Sequence, residues 1–293
     1  MICLRAFSLP DDEAEADFFL SSPKAKRNGR DSTYPFLLFR GRQMPVFRFS
    51  DITVFCGNNG SGKSTLLNVI AGALGLRRTS DFNRSEFFED YTAMCHAEVT
   101  GRIPRQSAVI TSDDVFERLL DIRRLNAGID DRRAALVDDW VEERGRSAGG
   151  EANLLGGLED FERWQDASRK RRYSQSSYLR SRLVRNVTER SNGESALSYF
   201  VDAIADGGLY LLDEPENSLS PENQLALRYF LEDAVAKHSC QFLLSTHSPF
   251  LLALRHARIY DIDATPPAVT PWTELPCVRV YKDFFEENAD AFR

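Results

Sequence analysis

The chain has 293 residues, 42% of them apolar, and its 44 acidic against 37 basic side chains leave a formal charge of −7. That length holds one large domain or two modest ones around a buried core, and the ordinary apolar share gives no sign of disorder. The acidic balance excludes a surface that is basic all over, of the kind that coats nucleic acid, but leaves room for a local basic patch. In chain order, the first elements are short strand-like runs, Ile2 to Ser8, Pro35 to Arg40, Val46 to Phe49 and Ile52 to Cys56, with a polar loop from Ser21 to Thr33 among them. They predict a small β part that leads into a glycine-rich run.

That run, Gly57-Asn58-Asn59-Gly60-Ser61-Gly62-Lys63-Ser64, matches G-x-x-x-x-G-K-[ST] and is set between an apolar strand and a helix-like stretch from Thr65 to Leu74. Glycines at these positions let backbone N–H groups turn inward around phosphates, and the helix N-terminus adds partial positive charge. Lys63 reaches the β/γ-phosphates and Ser64 suits Mg²⁺. A nucleoside triphosphate is the expected ligand, held by Gly57 to Thr65.

The helix ends near Gly75, and Ala108-Val109-Ile110 reads as a short buried strand. From Ser112 the apolar spacing turns helical through Asp113 to Asn126, Asp130 to Arg146, Leu158 to Tyr173 and Ser177 to Arg190, with a break at Gly149-Gly150. Residues 112–190 are therefore expected as a helical subdomain inserted within a single domain spanning 1–293. Arg169, Lys170, Arg171 and Arg172, near Tyr173 and Tyr178, form a basic cluster suited to nucleic-acid phosphates and bases. Pairing with the acidic stretch Asp130 to Glu143, or a solvated helix face, explains the same cluster.

Strand and helix then alternate again. Leu209 to Leu212 is continuously apolar, as a strand buried on both faces should be, and ends in Asp213-Glu214. Two carboxylates there are expensive unless they meet a cation or do chemistry. Asp213 suits the Mg²⁺ shell and Glu214 the base for an attacking water. Ser220-Pro221 caps the next helix, running through Ala236. Gln241 to Leu244 is a further strand, ending in Ser245-Thr246-His247-Ser248-Pro249, where His247 is placed to contact a γ-phosphate.

The phosphate loop, Ser191-Asn192-Gly193-Glu194-Ser195, the run from Leu209 to Asn217 and Ser245 to Pro249 stand in the order of the Walker A, signature, Walker B and switch-histidine motifs, and the chain resembles ABC-type ATPases of the SMC/RecF-like branch. The resemblance implies an α/β fold, an ABC-type P-loop head with a mixed, largely parallel sheet, flanking helices, an N-terminal antiparallel β part and a short helical insertion. It implies ATP and Mg²⁺ as cofactors and a homodimer closed across the nucleotide, with Ser191, Gly193 and Glu194 of one subunit meeting the phosphates held by Lys63 and Ser64 of the other. A capping box before an apolar helix explains Ser191 to Ser195 equally. In this family a glutamine follows the strand at Ala108; here Gln106 precedes it, and Asp113 is a further metal candidate. The function implied is ATP hydrolysis with Lys63, Glu214 and His247 as catalytic residues, coupled to control of nucleic acid or of an effector. The alternative is a regulatory ATP-binding module that cages or activates a separate effector protein, a nuclease or reverse transcriptase, in an anti-phage or toxin-like system.

The five cysteines, Cys3, Cys56, Cys95, Cys240 and Cys277, are scattered with no C-x-x-C pair, indicating neither a zinc site nor a disulfide framework; they read as small apolar fillers. Without a cationic-then-apolar leader or an apolar run of bilayer length, a cytoplasmic protein with no membrane partner is expected.

Overall fold

The structure is a computed structural model that describes residues 2–26, 32–121 and 192–292, together with 124, 131 and 135. The chain divides into two compact units, 1–117 with 190–293, and 118–189. The elements run β1 (Leu4–Ser8), α1 (Asp12–Ser21), α2 (Pro23–Lys26), β2 (Phe47–Arg48), β3 (Ile52–Cys56), α3 (Lys63–Leu74), α4 (Phe88–Met94), β4 (His96–Val99) and β5 (Ala108–Thr111), then a helix, α5, over 112–121. After the second unit come α6 (Asn192–Ala203), β6 (Leu209–Asp213), α7 (Pro221–His238), β7 (Gln241–Ser245), α8 (Pro249–Leu252), β8 (Arg258–Asp261), β9 (Ala268–Val269) and α9 (Pro276–Glu287). Apart from 131 and 135, the helices expected beyond Asn126, and with them the basic cluster Arg169 to Arg172, lie outside the described residues.

The main sheet has the order β5-β6-β7-β3-β8-β9, parallel throughout except for β9, which runs antiparallel to β8. Every residue of β3, β5 and β7 is buried, which is why these strands read as mostly apolar runs rather than alternating ones. The register sets Thr111, Asp213, Ser245 and Phe55 in one row across four adjacent strands. The carboxyl ends of those strands therefore stand level, where open parallel sheets bind their ligands.

The smaller sheet is antiparallel, β2-β1-β4, as expected of the N-terminal part. Tyr260 of β8 ties it to the main sheet through its hydroxyl, which accepts from Arg48 N at 2.8 Å and donates to Arg48 O at 3.0 Å, and Gln241 of β7 does so from deeper inside. Gln241 is fully buried: its Oε1 accepts from Cys3 N and Leu4 N, both at 2.9 Å, and its Nε2 donates to Leu4 O at 2.8 Å and Ser50 O at 3.1 Å. Phe47 packs edge-on to Phe55 and Tyr260, centroids 5.5 and 5.0 Å away, and fills the space beneath.

Pro35 to Arg40 is not the expected strand but a chain of turns, with Leu37 at φ 67°. Its apolar run is sorted at a spacing of three, Phe36 and Phe39 buried and Leu37 and Leu38 facing out, a pattern no strand can produce. Leu37 N donates to Glu15 Oε2 at 2.8 Å, drawing the turn onto α1. That helix begins where Asp11 accepts from Ala14 N, and Asp12, Glu13 and Glu15 in its first turn complement the dipole.

Candidate active site

The phosphate loop leaves the end of β3 and enters α3 through Gly60 and Gly62, at φ 79° and 97°. A Cβ on Gly62 would lie 2.7 Å from Phe39 Cε1, so glycine is required there by conformation and by space. Ser61 N donates to Asn58 O, and Arg42 braces the loop from outside, donating to Ser61 O at 2.5 Å and Ile262 O at 2.7 Å. Asp263 Oδ2 accepts from Asn58 N at 2.7 Å. The Lys63 side chain is buried and folds back over the loop, with Nζ donating to Gly57 O at 2.9 Å and Asn58 O at 3.1 Å. Thr65, one residue beyond Ser64, accepts from Tyr34 OH at 3.1 Å.

Facing the loop is the end of β6. Ser64 Oγ donates to Asp213 Oδ1 at 2.9 Å, and Ser245 Oγ makes a short hydrogen bond to the same oxygen. Burial pushes the Asp213 carboxyl above its ordinary value, while the hydroxyls of Ser245 and Ser64 act in the opposite direction. Glu214 has left-handed backbone at φ 46°, uncommon for a residue with a side chain, and Ser245 holds its N–H through both its carbonyl and its hydroxyl at 3.1 Å. Asn217 Nδ2 donates to Glu214 Oε2 at 3.0 Å, and His247 Nε2 stands 3.4 Å from Glu214 Oε1 without the alignment of a hydrogen bond. His247 N donates to Glu216 Oε1 at 2.6 Å, and burial raises the Glu216 carboxyl.

Lys63, Ser64, Asp213, Glu214 and His247 are thus brought together at the carboxyl ends of β3, β6 and β7. Asp113 is exposed on the first turn of α5, while its neighbour Asp114 is buried and caps that turn, accepting from Thr111 N at 2.7 Å and Ser80 N at 2.9 Å. Gln106 is used elsewhere, donating to Asp206 O at 2.7 Å. Ser191 and the side chain of Glu194 lie outside the described residues, and Gly193 falls in the first turn of α6. Phe36 is buried in an aromatic cluster, its ring stacked at 4.7 Å on Phe18. Sequence reasoning missed Ser245, Glu216, Asn217 and Asp263. For Ser245 the signal was present: it ends the apolar strand that comes after the carboxylate strand, where a parallel register sets it beside Asp213.

Two family models match the chain: one described as "AAA domain" over residues 36–128, and one described as "AAA domain, putative AbiEii toxin, Type IV TA system" over residues 159–253. No curated protein sequence matches it. Among solved structures, the chain is similar to an SMC head domain bound to the C-terminal domain of ScpA from Pyrococcus furiosus, at 16% identity and a TM-score of 0.37 over 83% of this chain and 95% of that one. An SMC head domain from Thermotoga maritima matches at 13% and 0.36, over 77% and 92%. The ATP-binding cassette MJ0796, a dimer bound to ADP and Pi in a post-hydrolysis state, matches at 14% and 0.33, over 76% and 88%. The motifs, the strand order and the two AAA-domain matches agree on an α/β P-loop domain of the AAA type, similar to ABC-type ATPases of the SMC/RecF-like branch.

Proposed function

We propose that the chain hydrolyses ATP with Mg²⁺ as a homodimer closed across the nucleotide, and couples that cycle to a nucleic acid or an effector protein. The observation that carries this reading is the meeting of Lys63, Ser64, Asp213, Glu214 and His247 at one end of the sheet. The residues fit the ligands. Ser61 Oγ and His247 Nε2 are buried polar atoms with no hydrogen-bond partner among the described residues, as groups awaiting phosphate oxygens would be. The Ser64 hydroxyl and Asp213 carboxylate, both hard oxygen donors, suit Mg²⁺, which takes only one or two protein ligands beside phosphate and water. Asp113, two residues beyond the Thr111 that is in register with Asp213, is the third metal candidate. When bound, the metal supplies charge neutralisation at the phosphate oxygens.

In this reading the loop from Gly57 to Thr65 orients the phosphates through N–H groups other than those of Asn58 and Ser61, which Asp263 and Asn58 already hold, and the Lys63 ammonium leaves its own carbonyls to neutralise them. Glu214, held by Asn217 and by its own strained backbone, orients water and takes its proton. His247 stands beside Glu214 to meet the γ-phosphate. Ser191, Gly193 and Glu194 close the site in trans, with Gly193 at the N-terminus of α6 offering backbone N–H groups to anions.

A second reading is favoured by the family description that names a toxin of a type IV toxin–antitoxin system. In it the ATP-closed dimer cages or activates a separate effector and turnover is incidental. Arg169, Lys170, Arg171 and Arg172 are the proposed contact if the partner is nucleic acid.

The shared site is tested by mixing Lys63→Ala and Gly193→Asp subunits. Each homodimer lacks an intact composite site, whereas the mixed dimer keeps one. Mass measurement should show ATP-dependent dimers in the mixture and in neither variant alone. Wild-type protein that stays monomeric while hydrolysing ATP at a rate per molecule independent of concentration rejects the closed dimer.

A further inference from the structure

Two cysteines 221 positions apart in sequence meet beside the phosphate loop: Cys56 Sγ and Cys277 Sγ are 3.4 Å apart. Cys56 is the last residue of β3, directly before Gly57, and is buried. Cys277 is the second residue of α9 and is only half-buried. We propose that Cys56 and Cys277 form a reversible dithiol–disulfide site which, when oxidised by a hydroperoxide, clips the first turn of α9 to the end of β3.

Chemistry separates the two roles. Cys277 is the accessible thiol, and the hydrogen bond from Cys56, followed by the N–H groups of the first helical turn, holds it below the usual thiol range. Its thiolate attacks one peroxide oxygen, the O–O bond breaks, and the alcohol or water half leaves after taking up a proton. The sulfenic acid left on Cys277 is displaced at sulfur by Cys56, releasing water. Two thiols and one hydroperoxide give one disulfide, one alcohol or water, and one water. Two electrons pass from sulfur to oxygen.

The other cysteines are poorly placed to compete. Burial pushes the Cys95 thiol up to about 12 and raises that of Cys3, while Cys240 is buried with Sγ on the carbonyl of Ala205. Forming the bond closes the sulfurs by about 1.4 Å, to roughly 2.05 Å. The end of β3 will not yield, because it is paired with β7 and β8 on either side and Cys56 O accepts from Ile262 N at 2.7 Å. The helix moves instead, since Val278 is its one buried residue. Val280, Tyr281, Phe284 and Phe285 are exposed on α9, so the clip sets how firmly that aromatic face is held.

The test uses the full chain treated with one equivalent of hydrogen peroxide, alkylated and mapped by mass spectrometry. A peptide linking Cys56 to Cys277 is expected, two Da lighter than the sum of its reduced halves and released by dithiothreitol. Amide exchange over 276–287 should slow about tenfold in the oxidised protein. Cys277→Ser should yield no linked peptide, and Cys56→Ser should leave a sulfenic acid on Cys277 that dimedone traps. Absence of the linked peptide in the wild type, or oxidation of all five cysteines at similar rates, overturns the site. Unchanged exchange in α9 overturns the clip. Cys277 is half-exposed, so that variant folds even if Cys56→Ser does not.

Discussion

The Ser64 hydroxyl donates to Asp213 Oδ1 across 2.9 Å, joining the first turn of α3 to the end of β6 although 149 residues separate them. If these oxygens share one Mg²⁺, Asp213→Asn removes the anionic half of the pair. ATP affinity in the presence of Mg²⁺ should fall at least about tenfold, the scale of one lost charged contact, while affinity without metal changes little. Calorimetry with and without Mg²⁺ separates the two. An equal loss in both conditions would assign Asp213 a purely structural part.

Lys63→Ala and Glu214→Gln should divide binding from chemistry. Losing the buried ammonium costs roughly ten- to a hundredfold in ATP affinity. The Glu214 amide keeps the shape but accepts no proton, so turnover should drop by roughly 10²- to 10⁴-fold with binding intact. Filter binding beside a phosphate-release assay reads both; normal turnover in Glu214→Gln would move the base elsewhere.

Gln241→Leu should be among the most damaging single changes outside the site. It strands the backbone groups of Cys3, Leu4 and Ser50 inside the protein, at a cost of about 3–6 kcal/mol. Denaturant titration should show the midpoint fall accordingly. A loss below about 1 kcal/mol, the worth of an ordinary hydrogen bond, would mean that the Tyr260–Arg48 hydrogen bonds and aromatic packing hold the sheets together without Gln241.

Gly62→Ala meets two obstacles, φ 97° and the Phe39 ring at 2.7 Å, whereas Gly101→Ala meets only φ 75°. Thermal melting should therefore rank Gly62→Ala below Gly101→Ala, with a cost of about 1–3 kcal/mol for the strained backbone alone. Only the first should also lose nucleotide binding. Equal melting temperatures would remove Phe39 from the account.

Much of the main sheet was legible because β3, β6 and β7 are covered on both faces, so their residue types leave little choice. The first helix was not, since its apolar residues crowd into Phe18, Phe19 and Leu20 behind a run of acids. Pro35 to Arg40 misled because residue type does not say which neighbour faces inward. At the site, the Lys63, Asp213 and Glu214 positions follow from local pattern and strand ends. The grip of Ser245 on Asp213 depends on register between strands, and the Gln241 tie and the Cys56–Cys277 contact join segments more than two hundred residues apart. No local window carries such information.

The placing of β3 between β7 and β8 governs the order in which this protein can come into being. Ile52 is in register with Phe242, and Thr53 with Arg258. A ribosome delivers the phosphate loop early, on a strand whose two edges both stay bare until much later segments emerge. Pairings of such long reach form slowly, and a bare apolar strand invites the wrong neighbour meanwhile. The nascent chain thus passes through a period in which it holds a nucleotide-binding sequence but no nucleotide-binding surface. Fragments that stop short of Gln241 should be insoluble rather than half-active, because the site is assembled in one late step from parts made far apart in time.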